Sequence, residues 1–137
     1  MRYRARVTTP FYCVVAAFAL IWVPRIIVVR ALVTSPGGLD NNNPRDQQVK
    51  LVGYARRANA AHNNSFEAFA PFAAAVVIAH LSHANEAWAS NLAIAFVALR
   101  CIYIAAYIAD KATLRSMIWL LATIAIAALM LLGAVAR

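Results

Sequence analysis

The stretch RANAAHNNSFEAFAPF at residues 57–72 decides the fold, because it leads polar and ionisable side chains directly into the apolar run AAAVVIA at residues 73–79. A charged side chain at the centre of a bilayer costs roughly 2.5–3.5 kcal/mol on insertion scales. Ionisable residues are therefore rare in membrane spans and mark functional sites by default. Glu67 is such a residue if this stretch belongs to a membrane span.

The composition of the whole chain supports a membrane location. Its 137 residues are 64% hydrophobic and only 13% charged, whereas soluble domains average about 25% charged residues. A span needs about 20 apolar residues to cross roughly 30 Å of hydrocarbon. One domain covering residues 1–137 accommodates four such spans, at residues 10–30, 48–81, 87–109 and 115–136. Short loops after the second and third spans make neighbouring helices antiparallel. The sequence predicts an all-α integral membrane protein with an up-down four-helix bundle.

The basic residues suggest how the spans are oriented. The formal net charge is +8, but the Lys and Arg residues lie at the ends of spans and form no soluble patch with interleaved aromatic residues, which argues against nucleic-acid binding. They are more numerous in the first and third loops than near the termini. The positive-inside rule then predicts cytoplasmic loops and both termini outside.

Polar residues share single faces of two spans. At 100° per residue, Arg57, Asn64 and Glu67 fall on one face of the second span. Arg100, Tyr103 and Tyr107 fall on one face of the third span, so Arg100 is the expected ion partner of Glu67. The alternative for this pair is a purely structural role in orienting the helices. The tyrosines could equally be packing aromatics whose hydroxyl groups find a partner.

Three further residues lie where loops meet spans. Arg115 could reach the membrane interface, or could hold a thiolate or carboxylate by charge-assisted hydrogen bonds. Ser116 beside it could cap the fourth helix. Arg25 follows Pro24 closely enough to face the bundle, although a positive-inside anchor is the simpler interpretation.

No metal site is expected. His80 and His83 lie near the membrane edge opposite to His62. Glu67 is the only acidic residue well inside a span, and no Glu-x-x-His pairing of the di-iron type is present.

The polar residues of the second and third spans resemble those of the MAPEG family, the membrane-associated proteins of eicosanoid and glutathione metabolism. In the second span the matching residues are Arg57, Ala61, His62, Asn64, Glu67, Pro71 and Phe72. In the third span and after it they are Arg100, Tyr103, Tyr107, Leu114, Arg115 and Ser116. Length, four spans and outside termini agree with the family over essentially the whole chain.

The resemblance implies a function and an assembly. It implies a homotrimer of the bacterial type, in the inner membrane, in which glutathione lies between subunits near the cytoplasmic side. The implied activity is transfer of glutathione to lipophilic electrophiles, or peroxidase chemistry. The implied catalytic residues are Arg115, which stabilises the thiolate, with Ser116 and Tyr107. The implied glutathione-binding residues are Arg25, Arg57, Asn64, Glu67, Arg100 and Tyr103.

One position departs from the enzymatic members of the family. They have an Arg four residues before the Asn, where this chain has Ala60, and the cations that could compensate are Arg56, Arg57 and Arg25. The alternative function is therefore a non-catalytic protein of the same fold that binds membrane lipids or serves as an accessory subunit of a larger membrane complex. A small transporter is disfavoured, because the polar residues crowd one end of the spans.

Overall fold

The computed structural model describes residues 8–136, which form one short and four long α-helices. The helices are α1 Thr9–Val33, α2 Pro44–Val49, α3 Gly53–Leu81, α4 Glu86–Ile108 and α5 Ala112–Ala134. All except α2 are long and apolar enough to cross a membrane. The all-α four-helix bundle predicted from the sequence is confirmed.

The second predicted span and the second long helix begin at different residues. The prediction started this span at residue 48, but α2 ends at Val49 and α3 begins only at Gly53. Gly53 has a φ of 56°, in the left-handed region that glycine adopts at little cost. The chain therefore turns between the two helices, and the polar stretch 57–72 lies wholly within α3.

The loop between α1 and α2 is organised around Asp40. Its Oδ1 accepts hydrogen bonds from the backbone N–H groups of Asn42 at 2.8 Å and Asn43 at 3.0 Å. The backbone hydrogen bonds from Asn43 and Asn42 favour the carboxylate and lower the pKa of Asp40. This side chain thus fixes the turn that leads into α2.

The start of α5 differs from the expectation for Ser116. The helix begins at Ala112 with Lys111 at the N-cap position. Ser116 lies in the second turn of the helix, where the backbone N–H groups already have helical partners, so its predicted capping role is wrong. Both Arg115 and Ser116 project from regular helix, which fixes their direction relative to α4.

The centre of the bundle is made of small side chains around one aromatic pair. Helices α3 and α4 pack against each other and each packs against α1 and α5. Phe72 of α3 and Phe96 of α4 stack with ring centroids 4.0 Å apart. Small buried residues such as Ala75 and Ala93 surround them and allow close approach of the helices.

A histidine joins α3 to α1 near a helical proline. Pro24 has no backbone N–H to donate within α1, which disturbs the hydrogen bonds of the preceding turn. Nδ1 of the buried His62 lies 2.8 Å from the carbonyl oxygen of Ile21 in that turn. Because a carbonyl only accepts, Nδ1 carries the hydrogen. His62 thus has a structural contact and stands apart from the polar face of α3.

Candidate functional site

A cleft opens between α3, α4 and α5 at the end of the bundle where α4 runs into α5. Its volume is about 490 Å³, within the range of about 300–1,000 Å³ typical of small-molecule sites. It is lined by Asn64, Tyr103, Tyr107, Arg115, Ser116, Trp119 and Leu120. Five of these residues come from the set predicted from sequence, and they arrive from three different helices.

Two tyrosines that line the cleft stack between two arginines, in the order Arg100, Tyr103, Tyr107 and Arg115. The guanidinium carbon of Arg100 lies 4.1 Å from the ring centroid of Tyr103, and that of Arg115 lies 4.5 Å from the ring centroid of Tyr107. The two rings meet edge to face, with centroids 5.6 Å apart. Cation–π contacts of this kind are stronger when the cation is withdrawn from water. The series therefore couples the position of Arg115 on α5 to α4.

Arg100 is held inside the bundle by α3. Its side chain is 3% exposed. Nη1 donates to Oδ1 of Asn64 at 3.1 Å, and Nη2 donates to Oγ of Ser65 at 3.2 Å. The Ser65 hydroxyl in turn donates to the carbonyl oxygen of Ala61 at 2.8 Å. Arg100 thus orients Asn64 at the wall of the cleft and does not itself line the cleft.

The predicted ion pair between Arg100 and Glu67 is absent. In the part of the chain that the structure describes, the salt bridge that forms joins Arg57 to Asp110 instead. The Asn64 amide stands between the two charged groups, because its Nδ2 donates to Oε2 of Glu67 at 3.0 Å while its Oδ1 accepts from Arg100. The Glu67 side chain remains exposed on the surface of the single chain.

Two of the predicted site residues lie away from the cleft. Nε of Arg57 donates to the carbonyl oxygen of Ile108 at 3.0 Å, and Nη1 lies 3.4 Å from Oδ2 of Asp110. These contacts satisfy a free carbonyl at the end of α4 and attach it to α3. Arg25 lies on α1 and lines a separate groove. The structure therefore does not bring Arg57 or Arg25 together with the cleft residues.

Sequence reasoning missed three residues of this arrangement. Trp119 and Leu120 line the cleft, and Ser65 holds Arg100. The first two could have been found by helical spacing, since Trp119 lies four residues after Arg115 and Leu120 four after Ser116. Nothing in the residue type of Ser65 distinguishes it from other small residues that face a neighbouring helix.

The charge and lining of the cleft favour an amphipathic anion. Arg115 is the one charged residue among those that line it, and an arginine side chain offers only hydrogen-bond donors. Trp119 and Leu120 are 45% and 52% exposed and give the same cleft an apolar side. Among residues 8–136, no three His, Cys, Asp or Glu side chains are grouped so as to bind a metal ion. The arrangement suits chemistry on a small anionic group beside an apolar ligand.

Comparison with known proteins gives one family. The model of the MAPEG family matches residues 9–135, which is nearly the whole chain. No curated protein and no solved structure matches the chain at a significant level.

Proposed function

The chain belongs to the MAPEG family and is an integral, multi-pass membrane protein, and on that premise we propose that it is a glutathione-dependent transferase or peroxidase acting on lipophilic electrophiles. The observation that carries the proposal is the composition of the cleft between α3, α4 and α5. It combines a cation that can hold a thiolate, Arg115, with the apolar side chains of Trp119 and Leu120.

The donors around the cleft suit parts of the glutathione molecule. The amide of Asn64 and the hydroxyl group of Tyr103 can hydrogen-bond to peptide groups, and the exposed carboxylate of Glu67, next to Asn64, is complementary to an ammonium group. Arg100 supports this set indirectly by orienting Asn64. When bound, glutathione supplies a thiolate that displaces a leaving group from an electrophilic carbon. In the peroxidase reaction two glutathione molecules are oxidised to their disulfide as a lipid hydroperoxide is reduced to the alcohol and water.

Arg115 is the proposed catalytic residue. A free thiol has a pKa of about 8.5, and a nearby cation lowers it, which raises the fraction of the reactive thiolate at neutral pH. The ring of Tyr107 lies against the Arg115 guanidinium and keeps it at the wall of the cleft. The hydroxyl groups of Tyr107 and Ser116 line the same cleft and are additional donors toward the sulfur.

Assembly and orientation are part of the proposal. A carboxylate such as Glu67 is costly against lipid, which supports an assembly in which a second copy covers it. We propose that this assembly is the homotrimer that the family resemblance implies. Basic residues gather at the end of the bundle where α1 ends, α3 begins and α4 meets α5, which supports a cytoplasmic location for this end, with both termini outside. Arg2, Arg4, Arg6 and Arg137 lie outside the described residues. We place the protein in a bacterial inner membrane.

One observation favours a second candidate function. Arg57 and Arg100 are engaged in contacts within the bundle, and Ala60 occupies the position where the enzymatic relatives have an Arg. Few cations are then left to bind the carboxylates of glutathione. The second candidate is a non-catalytic membrane protein of the same fold that binds lipid or serves as an accessory subunit of a larger complex.

Calorimetric titration of glutathione into the detergent-purified protein separates the two candidates. The enzyme requires saturable binding, together with turnover of a chromogenic aryl halide. Absence of heat at millimolar glutathione would reject the enzyme and favour the second candidate.

The Arg115→Ala variant tests the catalytic residue. We expect turnover at pH 7 to fall about 100-fold, as on loss of one electrostatic stabiliser, and to recover partly near pH 9, because the thiol then ionises without help. Lys111→Ala is the matched control, since Lys111 is an exposed cation at the same helix start that does not line the cleft. Equal losses in both variants would show a general charge effect and contradict the assigned role.

A further inference from the structure

A small cavity lies inside the bundle, where α1, α3 and α4 meet. Its volume is about 10 Å³. It is lined by Ala17 and Leu20 of α1, Ser65 and Phe69 of α3, and Phe96 and Arg100 of α4. The cleft is lined by other residues, so the two spaces are separate. The lining of the cavity is apolar except for Ser65 and Arg100, which are 5% and 3% exposed.

Arg100 brings more hydrogen-bond donors to the cavity than the described chain uses. Within residues 8–136, its Nη1 donates to Oδ1 of Asn64 and its Nη2 donates to Oγ of Ser65. An arginine side chain has further N–H groups on these nitrogens and on Nε. The cation–π contact with Tyr103 favours the positive charge, but the face of the ring supplies no lone pair. Because a buried charged donor without an acceptor is costly, an acceptor is expected beside Arg100.

Ser65 presents an unused lone pair to the same cavity. A hydroxyl group has one hydrogen to donate and two lone pairs that accept. The hydrogen of Ser65 goes to the carbonyl oxygen of Ala61 at 2.8 Å, and one lone pair accepts from Arg100 at 3.2 Å. The second lone pair needs a donor. The cavity therefore combines N–H groups that need an acceptor with an oxygen that needs a donor.

The size and polarity of the cavity select a water molecule. One water needs a volume of roughly 10–15 Å³ and two or more polar partners, and this cavity offers both. A halide ion would also accept from Arg100. It has no hydrogen to donate, however, and the lone pair of Ser65 would repel it.

We propose that this cavity binds one structural water molecule, which accepts a hydrogen bond from the guanidinium group of Arg100 and donates one to Oγ of Ser65. The water adds a second connection between α4 and α3 beside the direct contact of these two residues. It supports the arginine that orients Asn64 at the wall of the cleft. The site does not depend on the proposed reaction, because it lies outside the cleft.

Crystal structures of the purified full chain, grown once in chloride and once in bromide, test the site. At a resolution that shows ordered water, we expect one density peak in the cavity, about 2.7–3.2 Å from a nitrogen of Arg100 and from Oγ of Ser65. The bromide crystals should show no anomalous signal at this peak. A cavity without density would overturn the proposal, and an anomalous bromide signal would do so by assigning the site to a halide.

A matched pair of variants tests the need for a polar partner in solution. Ala17→Thr and Ala17→Val introduce β-branched side chains of similar size into the cavity, but only the threonine hydroxyl can accept from Arg100 in place of the water. We expect the thermal unfolding midpoint in detergent to be several degrees lower for Ala17→Val than for Ala17→Thr.

The same two substitutions at Ala19 are the control, because Ala19 is exposed on the same helix and does not line the cavity. There the threonine variant should have no advantage over the valine variant. Equal midpoints for the two variants at position 17, or an advantage of threonine of the same size at position 19, would show that Arg100 needs no acceptor in the cavity and would overturn the water site.

Discussion

The guanidinium group of Arg115 lies over the ring of Tyr107, with its central carbon 4.5 Å from the ring centroid. The two residues belong to different helices, α5 and α4, which join through a turn of three residues at 109–111. The ring therefore limits where the cation can go at the mouth of the cleft. This contact makes Tyr107 a positioning residue for Arg115 in the proposed reaction.

Replacing the ring of Tyr107 should impair turnover more than removing its hydroxyl group. We expect Tyr107→Ala to lower kcat/KM for glutathione conjugation about tenfold, because loss of a cation–π contact of about 1–2 kcal/mol lets Arg115 move. Tyr107→Phe keeps the ring and loses only one secondary donor toward the sulfur, so it should lose less activity than Tyr107→Ala. The measurement is kcat/KM for both variants as a function of pH.

The pH profile separates positioning from proton transfer. If the Tyr107 hydroxyl group itself takes part in transfer of the thiol proton, kcat/KM of Tyr107→Phe will be as low as that of Tyr107→Ala. That result would contradict the role assigned to the ring.

Ser65→Ala should destabilise the bundle although it removes a single oxygen atom. The buried Ser65 hydroxyl accepts from Arg100 at 3.2 Å, and a buried charged donor that loses its partner costs about 1–3 kcal/mol. An average hydrogen bond between membrane helices is worth only about 0.6 kcal/mol. The loss should appear as a lower thermal unfolding midpoint in detergent.

Thr123→Ala is the control for this prediction. The exposed Thr123 hydroxyl donates only to the carbonyl oxygen of Trp119 within its own helix, so its removal should change stability by less than about 0.5 kcal/mol. Equal shifts in the two variants would show that the contact between Ser65 and Arg100 contributes little.

The sequence correctly predicted which polar residues share a helix face, because this depends only on helical periodicity. Asn64 on α3 and the pair Tyr103 and Tyr107 on α4 were each placed on one face by counting residues, and those faces do meet at the cleft. The four membrane spans were also predictable, because the length and composition of an apolar run identify a span without any information about the helices packed against it.

The sequence could not predict which polar atoms pair across helices. Arg100 and Glu67 were expected to attract each other as opposite charges, but the angular position of Asn64 places an amide between them. Likewise Arg57 shares a face with Asn64, yet it lies at the level where α4 ends and is bound by the carbonyl oxygen of Ile108. Such choices depend on the relative axial shift of two helices, which the spacing within one helix does not determine.

Arg57→Ala should reduce stability without weakening glutathione binding. The variant loses the hydrogen bond from Nε to the carbonyl oxygen of Ile108 at 3.0 Å, and we expect a cost of about 1 kcal/mol. Asp110→Asn removes only the charge of Asp110 from its ion pair with Arg57. An ion pair at the surface contributes about 0–1 kcal/mol to stability. Unfolding midpoints and calorimetric titration of both variants check this. A glutathione affinity that falls in Arg57→Ala but not in Asp110→Asn would show that Arg57 belongs to the glutathione-binding site and would contradict this prediction.

The loop before α2 should loosen on acidification. The pKa of Asp40 is lowered in the folded state, so the stabilisation from its carboxylate is present above its unfolded pKa of about 3.9 and is lost as pH falls through the folded value. Asp40→Asn should mimic the acid state at neutral pH and speed proteolysis within residues 35–50. The control is Asp46→Asn, because Asp46 is exposed and accepts no hydrogen bond from this turn. Equal cleavage rates in the two variants would contradict the prediction.

Gly133 is the position where added bulk should separate two helices. A Cβ atom built on Gly133 would lie 2.9 Å from Cγ2 of Ile78 and 3.0 Å from the backbone Cα and N of Ala79. Backbone atoms cannot change rotamer as a side chain can, so a Cβ atom at this position would force α5 to move away from α3. Gly133→Ala gains about 1 kcal/mol of helix propensity but incurs an overpacking cost of about 1–3 kcal/mol.

The net result for Gly133→Ala should be a lower unfolding midpoint in detergent, and Gly133→Val should lower it further. Ala127→Val adds bulk to an exposed position of the same helix and should leave the midpoint nearly unchanged. A midpoint that rises in Gly133→Ala would show that α3 and α5 can separate at no cost. The close approach would then be a consequence of packing elsewhere in the bundle, and Gly133 would not be one of its determinants.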